Sequence, residues 1–201
     1  MRIAVVGAGG VGGLIGGLLA HSGSDVAFVA RGRQLEALRT HGLRVESPRG
    51  QFHVPKVSVS ADPSELGTAD VLLVAVKSWQ VAEIAPSLAR LLSPSGFAVP
   101  LENGVEAADA LAAVLGPERV VGGLCALLAW IEAPGFIKHH GPALRVVMGE
   151  RTGGSSPRLE ALATQLRAAQ VDVELSENIA AASWEKFLFI ASWGGVAAAA
   201  R

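Results

Sequence analysis

A doubly wound α/β fold built on a parallel sheet is what this sequence predicts, and three observations carry that prediction. Short apolar runs of strand length recur at residues 2–6, 25–30, 71–76 and 97–101. Segments with helical spacing lie between them. A cluster of glycines between Gly7 and Gly17 sits directly after the first run. Strands that alternate with helices from the first residue pair in parallel, with helices on both faces of the sheet.

The elements follow in order. Residues 2–6 are an uninterrupted apolar strand, and residues 10–22 a helix with Gly23 as its stop. Residues 25–30 make the second strand. Residues 34–40 form a short helix with Leu35 and Leu38 on one face. Residues 43–59 alternate around Pro48-Arg49-Gly50, which predicts a hairpin or an edge-strand excursion. Asp62-Pro63 opens a helical turn. Residues 71–76 are the clearest buried strand. Residues 81–92 read as a helix that holds Pro86 in its first turn or at a kink. A strand at 97–101 and a helix at 105–115 complete the alternation, and Gly116-Pro117 ends it.

Beyond Arg119 the pattern changes. Residues 120–131 and 136–148 are β-like and flank Ala133-Pro134-Gly135, so a hairpin is expected. Pro157 opens a helix to residue 169, and residues 171–175 alternate as a last strand. Ser176 is the expected N-cap of a helix starting near Glu177. A boundary is placed there: residues 1–176 as a Rossmann-type domain, residues 177–201 as the start of an all-helical second domain. The apolar stretch 187–200 stops at Arg201, so a covering partner or further helices are expected, with Phe187, Phe189 and Trp193 at that contact.

Composition narrows the function. Half of the 201 residues are hydrophobic, enough for a sizeable core, and 17% are charged. The net charge of -1 lacks the basic excess that nucleic acid or an anionic membrane selects. Residues 3–20 are uncharged, but their glycines make a poor membrane helix, since each costs about 0.8–1 kcal/mol relative to alanine. Cys125 is the only cysteine. It reads as a core residue, and a reducing, cytoplasmic setting fits. Adjacent His139 and His140 point to opposite sides of a strand, and His21, His41 and His53 lack ligand spacing, so no metal site is expected. Trp79, Trp130, Trp184 and Trp193 read as core anchors.

The chemistry concentrates at strand ends. Gly7, Ala8, Gly9, Gly10, Val11 and Gly12 follow a strand and open a helix. Gly7 permits the tight turn, Gly9 lets the backbone approach a pyrophosphate, and Gly12 permits close packing of helix on strand. The free amides at the helix start receive the anion. An acid normally ends the second strand where NAD is bound; here that place holds Ala30-Arg31-Gly32-Arg33. A guanidinium suits a 2′-phosphate, so the reading is NADP(H). Lys77 and Asn103 follow the strands at 71–76 and 97–101, where ligands of open α/β sheets sit. On position alone, Lys77 serves equally as a solvated lysine and Asn103 as a turn or cap residue.

Taken together, Gly7 to Gly12, Val29-Ala-Arg-Gly-Arg33, Val76-Lys-Ser-Trp-Gln80, Glu102-Asn-Gly-Val105 and Trp184-Glu-Lys-Phe187 carry a resemblance. In this order and at these separations the chain resembles the ketopantoate reductase family, also called 2-dehydropantoate 2-reductase. The resemblance implies NADPH-dependent reduction of a small 2-oxo acid. It implies that Lys186 donates the proton, that Asn103 contacts cofactor and substrate, and that Lys77 lines the same cleft. In the best-known members asparagines at the positions of Ile190 and Gly194 bind the substrate; the resemblance keeps ketopantoate as the leading candidate, and these two departures point to a different, less polar 2-oxo acid as the alternative. The family also continues through a full helical domain, so a chain cut short inside its first helices, and a homodimer, are expected. A dehydrogenase for another 2-oxo or β-hydroxy acid, or a dinucleotide-binding module without turnover, shares these residues.

Overall fold

The computed structural model describes residues 1–200; Arg201, the last residue of the expected second domain, lies outside them. In chain order the elements are β1 (Arg2–Val6), α1 (Gly10–His21), β2 (Asp25–Val29), α2 (Gly32–His41), β3 (Leu43–Ser47), β4 (Gly50–Val54), β5 (Ser58–Ser60), β6 (Ala69–Val74), α3 (Val81–Leu91), β7 (Leu92–Pro100), α4 (Ala107–Leu115), β8 (Gly122–Ala133), β9 (Phe136–Gly149), α5 (Pro157–Ala168), β10 (Asp172–Leu175) and α6 (Ile179–Ala199).

The apolar runs pair side by side in the order β5-β2-β1-β6-β7, every pair parallel. Because β1 pairs with β2 on one side and β6 on the other, the sheet reverses its winding at β1. The crevice at that reversal, at the carboxyl ends of the strands, is where open α/β sheets bind ligands. One face of this sheet, with Ala4, Val6, Leu72 and Val74, packs on Ile84 and Leu88 of α3 and Leu111 of α4. Each fully buried Val or Leu among them contributes roughly 1.5–3 kcal/mol.

The other face carries more than a helix layer. The hairpin predicted around Pro48 forms as β3 and β4, and the second hairpin forms as β8 and β9. The two hairpins then join: β3 pairs with β9 in parallel, and β10 adds alongside β9. The result is a second sheet, which the sequence pattern did not reveal. Helix α1 lies between the two sheets, with Leu14, Ile15 and Leu19 in one core with Phe28 of the first and Leu43, Val45 and Ile137 of the second. Its glycines make the room. A Cβ at Gly16 would stand 2.5 Å from the Phe28 ring, and one at Gly13 would stand 2.7 Å from Ile137.

Two local details are settled by the structure. Of the two places expected for Pro86 the first turn is excluded, since it sits in the interior of α3, on its exposed side. Ser176 does not cap α6; Asn178 does, its Oδ1 accepting from the Ala181 amide at 3.1 Å. The Ser176 amide still donates to the Met148 carbonyl at 2.8 Å, in line with the strand ladder. The helix therefore starts only after a further turn of chain. No helix among the described residues is long and apolar enough to cross a membrane.

Candidate active site

Four strand ends build the first cleft. Val6 leaves β1 into a turn at Gly7, whose φ of 99° suits glycine, and whose Cβ would stand 2.9 Å from the Ala75 carbonyl oxygen. Gly12 has the Gly7 carbonyl oxygen against it, so helix and turn close tightly. Gly9 has open space where a side chain would be, and it is the N-cap of α1 without a side-chain cap. No acid stands in the first turn of that helix. The first amides of α1 are thus left for an anion, on the positive end of the helix dipole.

Gln34 holds this loop in place. Its Nε2 donates to the Ala8 carbonyl at 2.9 Å, and its Oε1 accepts from the Gly135 amide at 2.9 Å. It clips the glycine loop to α2 and to the β8–β9 turn, a role that sequence pattern gave no sign of.

Gly7, Ala8, Gly9, Gly10, Val11, Arg31, Lys77 and Asn103 all line one cleft of about 810 Å³, together with Glu102 and Trp130. Gly12 lies behind its wall. Along the sheet the cleft runs from Arg31 after β2, past the glycine loop after β1 and Lys77 after β6, to Glu102 and Asn103 after β7. Three strand spacings of about 4.8 Å make this roughly 15 Å from end to end, a length that suits an extended dinucleotide. Arg31 reaches Glu83 at 3.9 Å and stays largely exposed. Lys77 is exposed, and its amide donates to Gln80 Oε1 at 3.1 Å.

A second cleft of about 690 Å³ adjoins the first and shares Glu102, Asn103 and Trp79 with it. Helix α6 forms its other wall with Trp184, Lys186, Phe187 and Ile190. The helix is seated by Ile179, buried against Leu124 and Val147. Gly122 and Gly149 lie so close beneath Ile179 that a Cβ on either would meet its side chain. Two turns further on, Lys186 Nζ donates to Asn103 Oδ1 at 3.0 Å. Burial holds the Lys186 ammonium below the usual lysine range. Gly194 lies outside both clefts and is exposed.

Other sequence readings resolve differently. Trp79, Trp130, Trp184 and Trp193 are exposed and not core anchors, and the first three line the clefts. An amphipathic ring serves a cleft rim as well as a core. Cys125 is buried, as read, and its Sγ donates to the Leu101 carbonyl at 3.5 Å. Burial pushes its thiol up. His139 is buried between Ser47 and the Ala143 carbonyl, and among the described residues no group of three or more His, Cys, Asp or Glu could hold a metal ion.

One residue of the site was not singled out in the sequence. Glu102 is only 7% exposed, and neither carboxylate oxygen has a hydrogen-bond partner among the described residues. Burial pushes its carboxyl up to about 8, against nearby backbone amides of Glu102, Leu101 and Val76 that pull it down. The signal lay in the Leu-Glu-Asn-Gly run, an acid directly behind an apolar strand.

A parallel sheet with a glycine loop at its winding reversal defines a Rossmann-like α/β chain, a fold whose crevice at that point is where dinucleotides are taken up. The profile of the family described as ketopantoate reductase PanE/ApbA matches residues 3–153, and the chain belongs to that family. It is 33% identical over 196 residues to the uncharacterized oxidoreductase YkpB of Bacillus subtilis, covering 98% of this chain and 64% of that protein. It is 33% identical to the 2-dehydropantoate 2-reductase of Archaeoglobus fulgidus, covering 100% of this chain and 64% of that one. The crystal structure of 2-dehydropantoate 2-reductase from Geobacter metallireducens superposes with a TM-score of 0.89 at 35% identity, over 94% of this chain and 62% of that one. The chain thus spans just under two-thirds of the length of these relatives. D-mandelate dehydrogenase, at 23% identity and a TM-score of 0.80, shares the fold.

Proposed function

We propose that this chain carries the cofactor-binding part and the proton donor of an NADPH-dependent reductase of a small 2-oxo acid, with ketopantoate the leading candidate. The observation that carries this reading is the contact of Lys186 with Asn103 at the junction of the two clefts. NADP(H), when bound, supplies or accepts the hydride. The chain's residues do the rest. The amides opening α1 take the pyrophosphate and Arg31 the 2′-phosphate. Lys77 stands midway along the cleft as a further cation. Asn103 fixes the Lys186 ammonium in place. Lys186 meets the charge that develops on the carbonyl oxygen and protonates it, and its partial burial eases the proton's departure.

Residues 1–176 form the dinucleotide-binding unit in this reading, and the helix behind them opens the substrate-facing unit. Ile190, Trp184, Phe187 and Leu124 give the second cleft an apolar wall. That wall favours a second reading, a less polar 2-oxo acid in place of ketopantoate. The relatives named 2-dehydropantoate 2-reductase support the first. The lone buried thiol supports a cytoplasmic setting.

The test is NADPH consumption with a panel of 2-oxo acids, by the chain extended to the length of its relatives, beside its Lys186→Ala variant. Loss of the general acid is expected to lower kcat about 10²–10⁴-fold, with NADPH affinity within a few-fold. Turnover close to that of the parent would move the proton donor elsewhere, with Lys77 next in line.

A further inference from the structure

The first cleft ends at an acid that nothing neutralises. Glu102 is more than nine-tenths buried and both of its oxygens are without partners among the described residues, yet its residue lines both clefts. The ionisable groups on the elements around it are Cys125 on β8, Lys186 on α6, Lys77 after β6 and Glu106 ahead of α4. Farther along the first cleft stand Glu83 and Arg31. None of these gives Glu102 a hydrogen bond, and the Lys186 ammonium donates to the neighbouring Asn103 instead.

With the 2′-phosphate at Arg31 and the pyrophosphate at the glycine loop, the remaining end of a dinucleotide runs toward the ends of β6 and β7. Glu102 stands there. The nicotinamide ring is neutral when reduced and carries one positive charge when oxidised. A buried carboxylate without a counter-charge is strongly disfavoured, and a cation within about 4–6 Å lowers a carboxyl pKa by roughly 1–3 units.

We propose that Glu102 reads the charge of the bound ring: it stays a neutral carboxylic acid beside the reduced ring and releases its proton to water when the oxidised ring takes that place. This rests on the reading of the first cleft as the NADP(H) site. At neutral pH the free protein holds the Glu102 proton, because burial has pushed the carboxyl up to about 8. Exchange of NADPH for NADP+ is then coupled to loss of a proton from the protein, and Glu102 sets the relative affinity of the two cofactor forms.

The experiment is titration of the 201-residue chain and its Glu102→Gln variant with NADPH and with NADP+ between pH 6 and 9. Calorimetry in buffers of different ionisation heat counts the protons released. Taking the ratio of the two dissociation constants cancels the titration of the 2′-phosphate that both ligands carry. In the unmutated chain the relative affinity for NADP+ is expected to rise at least about tenfold across this range, with more protons released on NADP+ binding than on NADPH binding. In Glu102→Gln, which has the shape of the neutral acid, the ratio is expected to stay flat. A flat ratio in the unmutated chain overturns the proposal. So does a slope of equal size in both proteins, which would assign the charge sensing to Lys186 or Cys125. Failure of both cofactors to bind either protein would instead overturn the dinucleotide reading, and the proposal with it.

Discussion

Glu102 sets a pH signature on stability as well as on binding. In the unfolded chain its carboxyl has an ordinary pKa near 4.5, and in the folded protein it is pushed up to about 8. The folded state therefore holds a proton that the unfolded state has lost, between those two values. Stability falls as pH rises through that window and levels off above it, by on the order of 2–5 kcal/mol. Glu102→Gln removes the titration. Its melting temperature is expected to exceed that of the parent at pH 8 and to match it near pH 5, by calorimetric scans. A variant less stable than the parent at pH 8 would mean that the carboxylate has a partner. At this scale the sequence was legible where residue type dictates the role. Gly7 needs a positive φ and takes one, and Arg31 follows the second strand at the rim of the cleft. It was silent on burial. Glu102 and Trp79 look alike as surface or core until neighbouring elements place one inside and the other at 77% exposure.

Helix α1 is the element on which both the core and the cleft depend. Helix propensity alone says that glycine to alanine within it should stabilise by up to about 1 kcal/mol. Packing says the reverse, because a Cβ at Gly16 would stand 2.5 Å from Phe28 and 2.8 Å from Val5. Overpacking of this kind costs about 1–3 kcal/mol, so Gly16→Ala is expected to destabilise. Gly194 in α6 has nothing within 4 Å of its Cβ position, so Gly194→Ala is expected to stabilise by about 0.5–1 kcal/mol. Opposite signs in denaturant unfolding would confirm that the glycines of α1 serve close packing; the same sign for both would contradict it. Strand and helix order was legible because each element carries its own period. The assembly of the hairpins into a second sheet was not, because the pairing of Arg44 with Phe136 joins residues far apart in sequence with no local signal.

Over the whole molecule, two surfaces are open: the clefts and the apolar side of α6. Phe189 and Trp193 are 70% and 71% exposed there, with Leu188 and Val196 beside them. An apolar stripe of this kind drives association. The purified chain is expected to self-associate in light scattering, and Phe189→Ser with Trp193→Ser to shift it toward monomer. A monodisperse monomer at high concentration would contradict that. The site itself was legible as parts, since each motif sits at a strand end. The resemblance gave Lys186 and Asn103 roles at one reaction, but their contact was not legible, because 83 residues separate them. The cleft from Arg31 to Glu102 is tested most directly by fluorescence titration of the chain with NADPH and with NADH, beside Arg31→Ala. NADPH is expected to bind more tightly, and Arg31→Ala to weaken NADPH about ten- to a hundred-fold while leaving NADH nearly unchanged. Equal dissociation constants for the two cofactors in the unmutated chain would contradict a 2′-phosphate site at Arg31.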